Sequence, residues 1–157
     1  MITIRKILVP TDFSPNSERA LDLAIDFAVR FEAEIVLVHV LAPPVYPAMT
    51  FGAAAASLPN IHEEVRKNIT AQLEGLRQKL VARGVRARAV VRDGSPFTEI
   101  VVAAQDEACD LVVIATHGYG GIKHLLLGST AERVVRKAPC PVLTVRSTEH
   151  AHTVESA

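Results

Sequence analysis

The chain has 157 residues, of which 49% are apolar and 22% are charged, enough for one domain with a sizeable hydrophobic core. Basic and acidic residues number 17 each, so the net charge favours neither nucleic acid nor an anionic membrane as a partner. No apolar run approaches the roughly 20 residues that span a bilayer, and residues 1–9 lack the pattern of a signal peptide. We therefore expect a cytoplasmic protein in which Cys109 and Cys140 are buried, reduced thiols.

Strand and helix patterns alternate from the start of the chain. An apolar run predicts a first strand at Ile4 to Val9, which ends at Pro10-Thr11-Asp12. Ser14-Pro15 is typical of a helix start, because the hydroxyl caps free amides and the proline needs no amide at the first helical position. Apolar residues at spacings of three and four extend this helix to about Phe31, and a second strand is predicted at Glu34 to Leu41.

The middle of the chain is less regular. Residues 43–60 contain several prolines and a run of alanines without apolar periodicity, so we expect a long irregular loop there. An apolar stripe predicts a second helix from near Ile61 to Arg83. Alternation of apolar residues with arginines predicts a half-exposed edge strand at Val85 to Arg92, and Ser95-Pro96 begins a third helix.

The stretch that organises the fold comes last. Asp110 to Ala115 is apolar throughout apart from its first residue, as expected for a central parallel strand covered on both faces. A glycine-rich loop follows at Thr116 to Gly121. Ser129 and Glu132, three residues apart, predict a capping box that begins a fourth helix, and a last strand is predicted at Val142 to Arg146.

Regular alternation of strands and helices predicts an α/β fold: a single domain, residues 1–147, with a doubly wound five-stranded parallel sheet and a polar tail at residues 148–157. The fully apolar first and fourth strands should be central, which favours the strand order 3-2-1-4-5. At the switch point between these two strands a crevice opens at their carboxyl ends. There Pro10-Thr11-Asp12 should face Thr116-His117-Gly118.

This crevice has the chemistry of an anion site. A strand that ends in glycines beside a helix N-terminus offers free amides and the positive end of the helix dipole, and both favour phosphate. Each residue also has a purely structural explanation. Gly118 could allow a tight turn, Ser129 could be only a helix cap, Asp12 could cap the first helix, and His117 could be a hydrogen-bonded turn histidine.

The common catalytic and nucleotide-binding motifs of α/β proteins are absent from the sequence. The turn after the first strand has no glycine, and Gly118-Tyr119-Gly120 lacks the third glycine of a dinucleotide-binding fingerprint because Lys123 stands there. The sequence contains neither a Walker-type phosphate loop nor a GxSxG nucleophile elbow.

The loop instead resembles that of the universal stress proteins, and the resemblance covers about residues 3 to 146. It rests on Thr116-His117-Gly118, nine residues and then Gly128-Ser129, on Ala138 to Leu143, and on Pro10 to Ser14. ATP-binding members carry a further glycine three residues before the position of Gly118. Here Ala115 stands in its place, and its methyl group could narrow the approach of a ligand to the strand end.

The resemblance implies a Rossmann-like fold of the adenine nucleotide alpha-hydrolase type and an ATP site, with Mg²⁺ as a possible companion. Asp12 would serve a ribose hydroxyl or a metal near the phosphates, and Val40 would line the adenine pocket. The helix start at Gly128 would receive the phosphates. The implied site comprises Pro10, Thr11, Asp12, Val40, Ala115, His117, Gly118, Gly128, Ser129 and Thr130.

We therefore expect a nucleotide-dependent regulatory protein of the stress response that acts on a protein partner the sequence does not name. Two alternatives stay open, namely a slow ATP hydrolase and a nucleotide-free dimeric scaffold. Only Asp12 and His117 are candidates for catalysis, and neither has an evident orienting partner. The bare apolar edge of Val142 to Arg146 predicts a homodimer paired through the last strand.

Overall fold

The computed structural model describes residues 3–43, 53–117 and 127–146, with only the backbone described at residues 53–60. In these ranges five strands alternate with four helices. The elements are β1 (Lys6–Pro10), α1 (Pro15–Phe31), β2 (Glu34–Leu41), α2 (Ala53–Ala82), β3 (Ala87–Asp93), α3 (Pro96–Asp106), β4 (Leu111–Ala115), α4 (Ser129–Lys137) and β5 (Val142–Val145).

The strands form one parallel sheet in the order β3-β2-β1-β4-β5, which confirms the predicted order. The middle residues of β1, Ile7 and Leu8, are fully buried, because helices cover the sheet on both faces. The predicted edge position of β3 is also confirmed, since its arginines pair with acidic residues at the surface. Arg92, for example, contacts Glu99 at 3.0 Å and Asp106 at 2.9 Å.

Two apolar layers pack on opposite faces of the sheet. Successive strand residues alternate between the faces. On the first face Ile7, Val9 and Val113 pack with α1 and with Leu73 and Leu80 of α2. On the second face a separate layer packs against α3 and α4; its strand residues are Leu8, Val36, Val38, Val112 and Ile114. The sheet is therefore doubly wound, as predicted.

Local signals set most element ends, but the start of α2 was predicted wrongly. Ser14 caps α1 as expected, because its Oγ accepts the Ser17 amide at 3.2 Å. The irregular loop predicted at residues 43–60 is wrong from Ala53 onward, because α2 begins there and not near Ile61. Alanine has the highest helix propensity, so the run of alanines from Ala53 forms helix although it has no apolar periodicity. Residues 44–52 and the predicted tail lie outside the described residues.

Both cysteines are free thiols, as expected. Cys109 is buried in the layer beneath α3 and α4, and Cys140 packs half-buried against the same layer. Burial raises the pKa of the Cys109 thiol to about 12, since a thiolate is poorly solvated there. Neither thiol is activated, because the pKa of Cys140 is raised by burial as well.

Candidate functional site

The two central strands turn away from each other at their carboxyl ends. They pair at Ile7↔Leu111 and Leu8↔Val112. Beyond these pairs the Thr11 amide donates outward to Val38 O on β2 at 2.9 Å, and the Thr116 amide donates outward to Val145 O on β5 at 2.9 Å. The sheet thus divides at the predicted switch point, and the turns after β1 and β4 border the division.

Thr11 is the centre of the turn after β1. Its side chain is 7% exposed, and its Oγ1 lies 3.1 Å from Ser17 Oγ. The Ser17 hydroxyl donates to the Ser14 carbonyl at 2.8 Å, so Thr11 must be the donor to Ser17. Thr11 Oγ1 also accepts the Phe13 amide at 3.0 Å. The hydroxyl of Thr11 is therefore engaged within the turn and fixes its shape.

Asp12 stands at the surface side of the same turn. Its Oδ1 accepts the Ser14 amide at 3.0 Å, which fixes the carboxylate relative to the start of α1. Phe13, between them, has a φ of 62°, a left-handed conformation that bulky residues rarely adopt. Pro10 ends β1 opposite Val38 of β2. The turn therefore holds a carboxylate at the carboxyl edge of the sheet on a tightly constrained backbone.

Gly128 joins the end of β4 to the start of α4. Its amide donates to Thr116 O at 2.7 Å, and a Cβ added at Gly128 would lie 2.8 Å from the same oxygen. Only glycine allows the two backbones to approach this closely. Gly128 also accepts the Glu132 amide at 2.9 Å, the first hydrogen bond of α4.

The predicted capping box at Ser129 is wrong. The N-cap of α4 is Gly128, and Ser129 is the first helical residue, because the contact between Gly128 and Thr116 begins the helix one residue earlier. Because the N-cap residue is a glycine, it has no side chain with which to cap the helix start. Within the described ranges, the first amides of α4 are therefore left without the partner that a capping side chain would supply.

His117 lies between β4 and the glycine loop. Its Nδ1 is 3.1 Å from Thr116 Oγ1, and Thr116 itself is 3% exposed. The other ring nitrogen, Nε2, is buried and has no hydrogen-bond partner in the described part of the chain. A buried nitrogen of this kind normally has a partner, so a polar ligand here would satisfy it.

Of the remaining predicted positions, Val40 and Ala115 lie on opposite faces of the sheet. Val40, near the end of β2, packs on the second face, where α4 lies, whereas Ala115 at the end of β4 packs on the first face with α1. Gly118 lies outside the described residues. Thr130 is in the first turn of α4. The structure thus places the described positions at one edge of the sheet, on two turns, one helix start and the end of β2.

The sequence prediction missed His39. This residue lies on β2, where its Nδ1 is 2.8 Å from the Thr11 carbonyl oxygen and its ring stacks on Phe13 with centroids 5.0 Å apart. The signal was available, because His39 is the one polar residue inside the apolar run from Ile35 to Leu41. Within the described ranges, no group of three metal-ligating side chains comes together, and no helix could cross a membrane.

The sequence model of the universal stress protein family matches residues 3–146. The chain belongs to this family. The family resemblance seen in the sequence is confirmed. Universal stress protein YxiE from Bacillus subtilis is 30% identical over 145 residues, which cover 90% of this chain and 98% of YxiE.

Solved structures of universal stress proteins have the same fold. The structure of MJ0577, a universal stress protein of Methanocaldococcus jannaschii, superposes with a TM-score of 0.74 at 30% identity and covers 93% of this chain and 98% of MJ0577. A universal stress protein solved in complex with cAMP superposes with a TM-score of 0.65 at 25% identity, and the match covers 92% of this chain and 98% of the chain of that protein. The Rossmann-like α/β fold is therefore confirmed.

Proposed function

We propose that this universal stress protein binds an adenine nucleotide, ATP first among them, in the crevice between the carboxyl ends of β1 and β4. The observation that carries the proposal is the start of α4, where the Gly128 amide lies 2.7 Å from Thr116 O and where the N-cap residue, a glycine, has no side chain to cap the first amides. Free amides and a positive helix end attract phosphate. The relative in complex with cAMP supports an adenine nucleotide as the ligand class.

In this proposal the phosphates lie against the amides and hydroxyls of Ser129 and Thr130. His117 Nε2, buried and without a partner in the described part of the chain, donates a hydrogen bond to a phosphate oxygen. Asp12 faces the ribose hydroxyls from the β1 side, and Val40 lines the base pocket on the same sheet face as α4. Gly118, from the glycine loop, completes the phosphate contacts.

Thr11 acts differently from its neighbours in this proposal. Its hydroxyl is already engaged with Ser17 and Phe13, so its part is to shape the turn that carries Asp12. Pro10 fixes the end of β1 where that turn begins. Ala115 packs on the α1 face of the sheet, so its methyl group does not stand between the ligand and α4.

Mg²⁺ would enter only with the nucleotide. Magnesium in nucleotide sites is commonly held by one or two carboxylates together with phosphate oxygens. Asp12 is a suitable carboxylate, although its Oδ1 already accepts the Ser14 amide. The described residues hold no cluster of three ligating side chains. Most of the Mg²⁺ ligands would therefore have to be phosphate oxygens and water.

Nucleotide binding would make this a regulatory protein of the stress response whose ATP-bound form is read by a protein partner. The cytoplasmic location and the homodimer through β5 stay predictions of the same proposal. A direct test is to denature the purified protein and identify any released nucleotide by mass. A second is the melting temperature, because ATP at 100 times its Kd should stabilise the fold by about 2.7 kcal/mol. For a domain of this size that corresponds to a rise of roughly 5–11 °C.

Two variants of Ser129 locate the site. Ser129→Pro removes one amide donor, yet proline is favoured at the first helical position and the extended Gly128 before it, at φ −68° and ψ 154°, suits a following proline. Ser129→Ala removes only the hydroxyl and is the matched control. We expect Ser129→Pro to weaken ATP binding by about tenfold, the worth of one hydrogen bond to a charged group, and Ser129→Ala to weaken it less. Equal affinity in wild type and Ser129→Pro would contradict a phosphate site at α4.

A further inference from the structure

His39 contacts the turn after β1 from the face of the sheet opposite α4. Alternation along β2 places His39 with Ile35 and Leu37 on the first face, where Phe13 also packs. Val40, the predicted base-pocket residue, is on the other face. His39 therefore cannot share the base pocket with Val40, and its route to the site is through the turn after β1.

The hydrogen bond between His39 and Thr11 fixes the proton on the imidazole. A backbone carbonyl oxygen only accepts, so at 2.8 Å from Thr11 O the Nδ1 atom must carry a hydrogen, in either the neutral or the charged ring. The same ring stacks on Phe13 at 5.0 Å and an interplanar angle of 27°. One side chain thus contacts two successive parts of the turn by two different interactions.

The turn requires such support. Phe13 has a φ of 62°, a conformation that persists in a bulky residue only when the surrounding structure imposes it. Three described hydrogen bonds of the turn join near neighbours in sequence, from Phe13 to Thr11, from Ser14 to Asp12 and from Thr11 to Ser17. The contact with His39, together with the Thr11 amide on Val38 O, ties the turn to β2, 28 residues away in sequence from Thr11.

We propose that His39 is a positioning residue for the nucleotide site, one that holds the Pro10–Ser14 turn through the Thr11 carbonyl and the Phe13 ring and so sets the position of Asp12. The inference rests on the proposed function for its consequence, a change in nucleotide affinity. Its structural part, the fixed turn, is measurable without nucleotide.

Two variants separate the hydrogen bond from the ring. His39→Phe keeps an aromatic ring for Phe13 and loses the donor. His39→Asn loses the ring and keeps an amide donor near the position of Nδ1. If His39 positions the turn, His39→Phe should speed hydrogen exchange of the Phe13 and Ser14 amides by about two- to tenfold, the worth of one neutral hydrogen bond, and His39→Asn should largely restore the wild-type rates.

The nucleotide measurement uses the same variants. ATP affinity, measured by titration calorimetry, should fall in His39→Phe by about the same two- to tenfold and recover in His39→Asn, even if His39→Asn melts at a lower temperature because it lacks the ring. Affinity that follows melting temperature across the two variants would show a merely structural residue and overturn the proposal.

The outcomes distinguish this inference from the proposed function. If wild type binds no adenine nucleotide, the proposed function fails, while amide exchange still decides whether His39 holds the turn. Unchanged exchange at Phe13 and Ser14 in His39→Phe overturns the inference, as does acceleration matched by the core amide of Ala24 in α1. Nitrogen NMR of the wild type is independent of any variant, and an unprotonated Nδ1 at His39 would refute the hydrogen bond itself.

Discussion

Replacement of Gly128 by alanine tests the close contact that anchors α4. The added Cβ would lie 2.8 Å from Thr116 O, closer than such atoms approach without displacement; Thr116 O is a backbone atom, and the position of a Cβ is fixed by its own backbone. A forced displacement in a packed region costs about 1–3 kcal/mol. Alanine is also a poorer N-cap than glycine, but it reduces the entropy of the unfolded chain by a similar amount, so these two effects roughly cancel. We expect the melting temperature to fall by about 2–12 °C for a domain of this size.

Gly75→Ala is the matched control. Gly75 lies inside α2, and nothing lies within 4 Å of the Cβ that alanine would add. Because glycine in a helix interior is less stable than alanine by about 0.5–1 kcal/mol, this variant should melt roughly 1–4 °C higher. The same substitution, glycine to alanine, should thus lower the melting temperature at Gly128 and raise it at Gly75. Scanning calorimetry measures both, and a Gly128→Ala protein that melts at or above the wild-type temperature would refute the reasoning.

Two further predictions concern assembly and chemistry. The side chains of β5 are only half-buried in one chain, so this edge strand is free to pair with a second copy, and Val142→Lys with Val145→Lys should convert the homodimer to monomers in light scattering. Val142→Ala with Val145→Ala is the control for lost packing. A monomeric wild type at micromolar concentration would contradict the interface. Purified protein should hydrolyse ATP very slowly or not at all, because within the described ranges His117 contacts no carboxylate that would orient it as a base. If ATP is instead turned over at roughly 1–100 per second, and Asp12→Ala abolishes this activity, the protein is an enzyme.

The fold could be predicted because its signals are local and repeated. Continuous apolar runs at Ile7 to Val9 and Leu111 to Ala115 indicate strands buried on both faces, and the arginines of β3 indicate an edge. The order of the strands in the sheet follows from these differences in burial and from the right-handedness of parallel connections. The start of α2 was missed for the opposite reason, since the alanines from Ala53 favour helix without producing any apolar stripe.

The candidate site could be predicted only as a set of positions. Sequence placed Asp12 and Gly128 at one edge because both follow central strands. It could not show that the Thr11 hydroxyl donates to Ser17, because that bond depends on where the turn folds back onto α1. The polar His39 is conspicuous inside its apolar strand, but its partner is a backbone oxygen 28 residues earlier, and the sequence alone does not identify that partner.

Two of the glycine positions of the family motif, 115 and 128, make different physical demands, and this explains why one of them can change. At Gly128 a side chain would collide with the Thr116 carbonyl, and no rotation relieves a clash between backbone atoms and a Cβ. At Ala115 the extra methyl group packs, partly buried, against the apolar layer beneath α1, where it removes apolar surface from water. The methyl group of Ala115 therefore lies on the face opposite α4, whereas a side chain at position 128 would displace the backbone at the helix start itself. The proposed nucleotide site would therefore require glycine at position 128 but not at position 115.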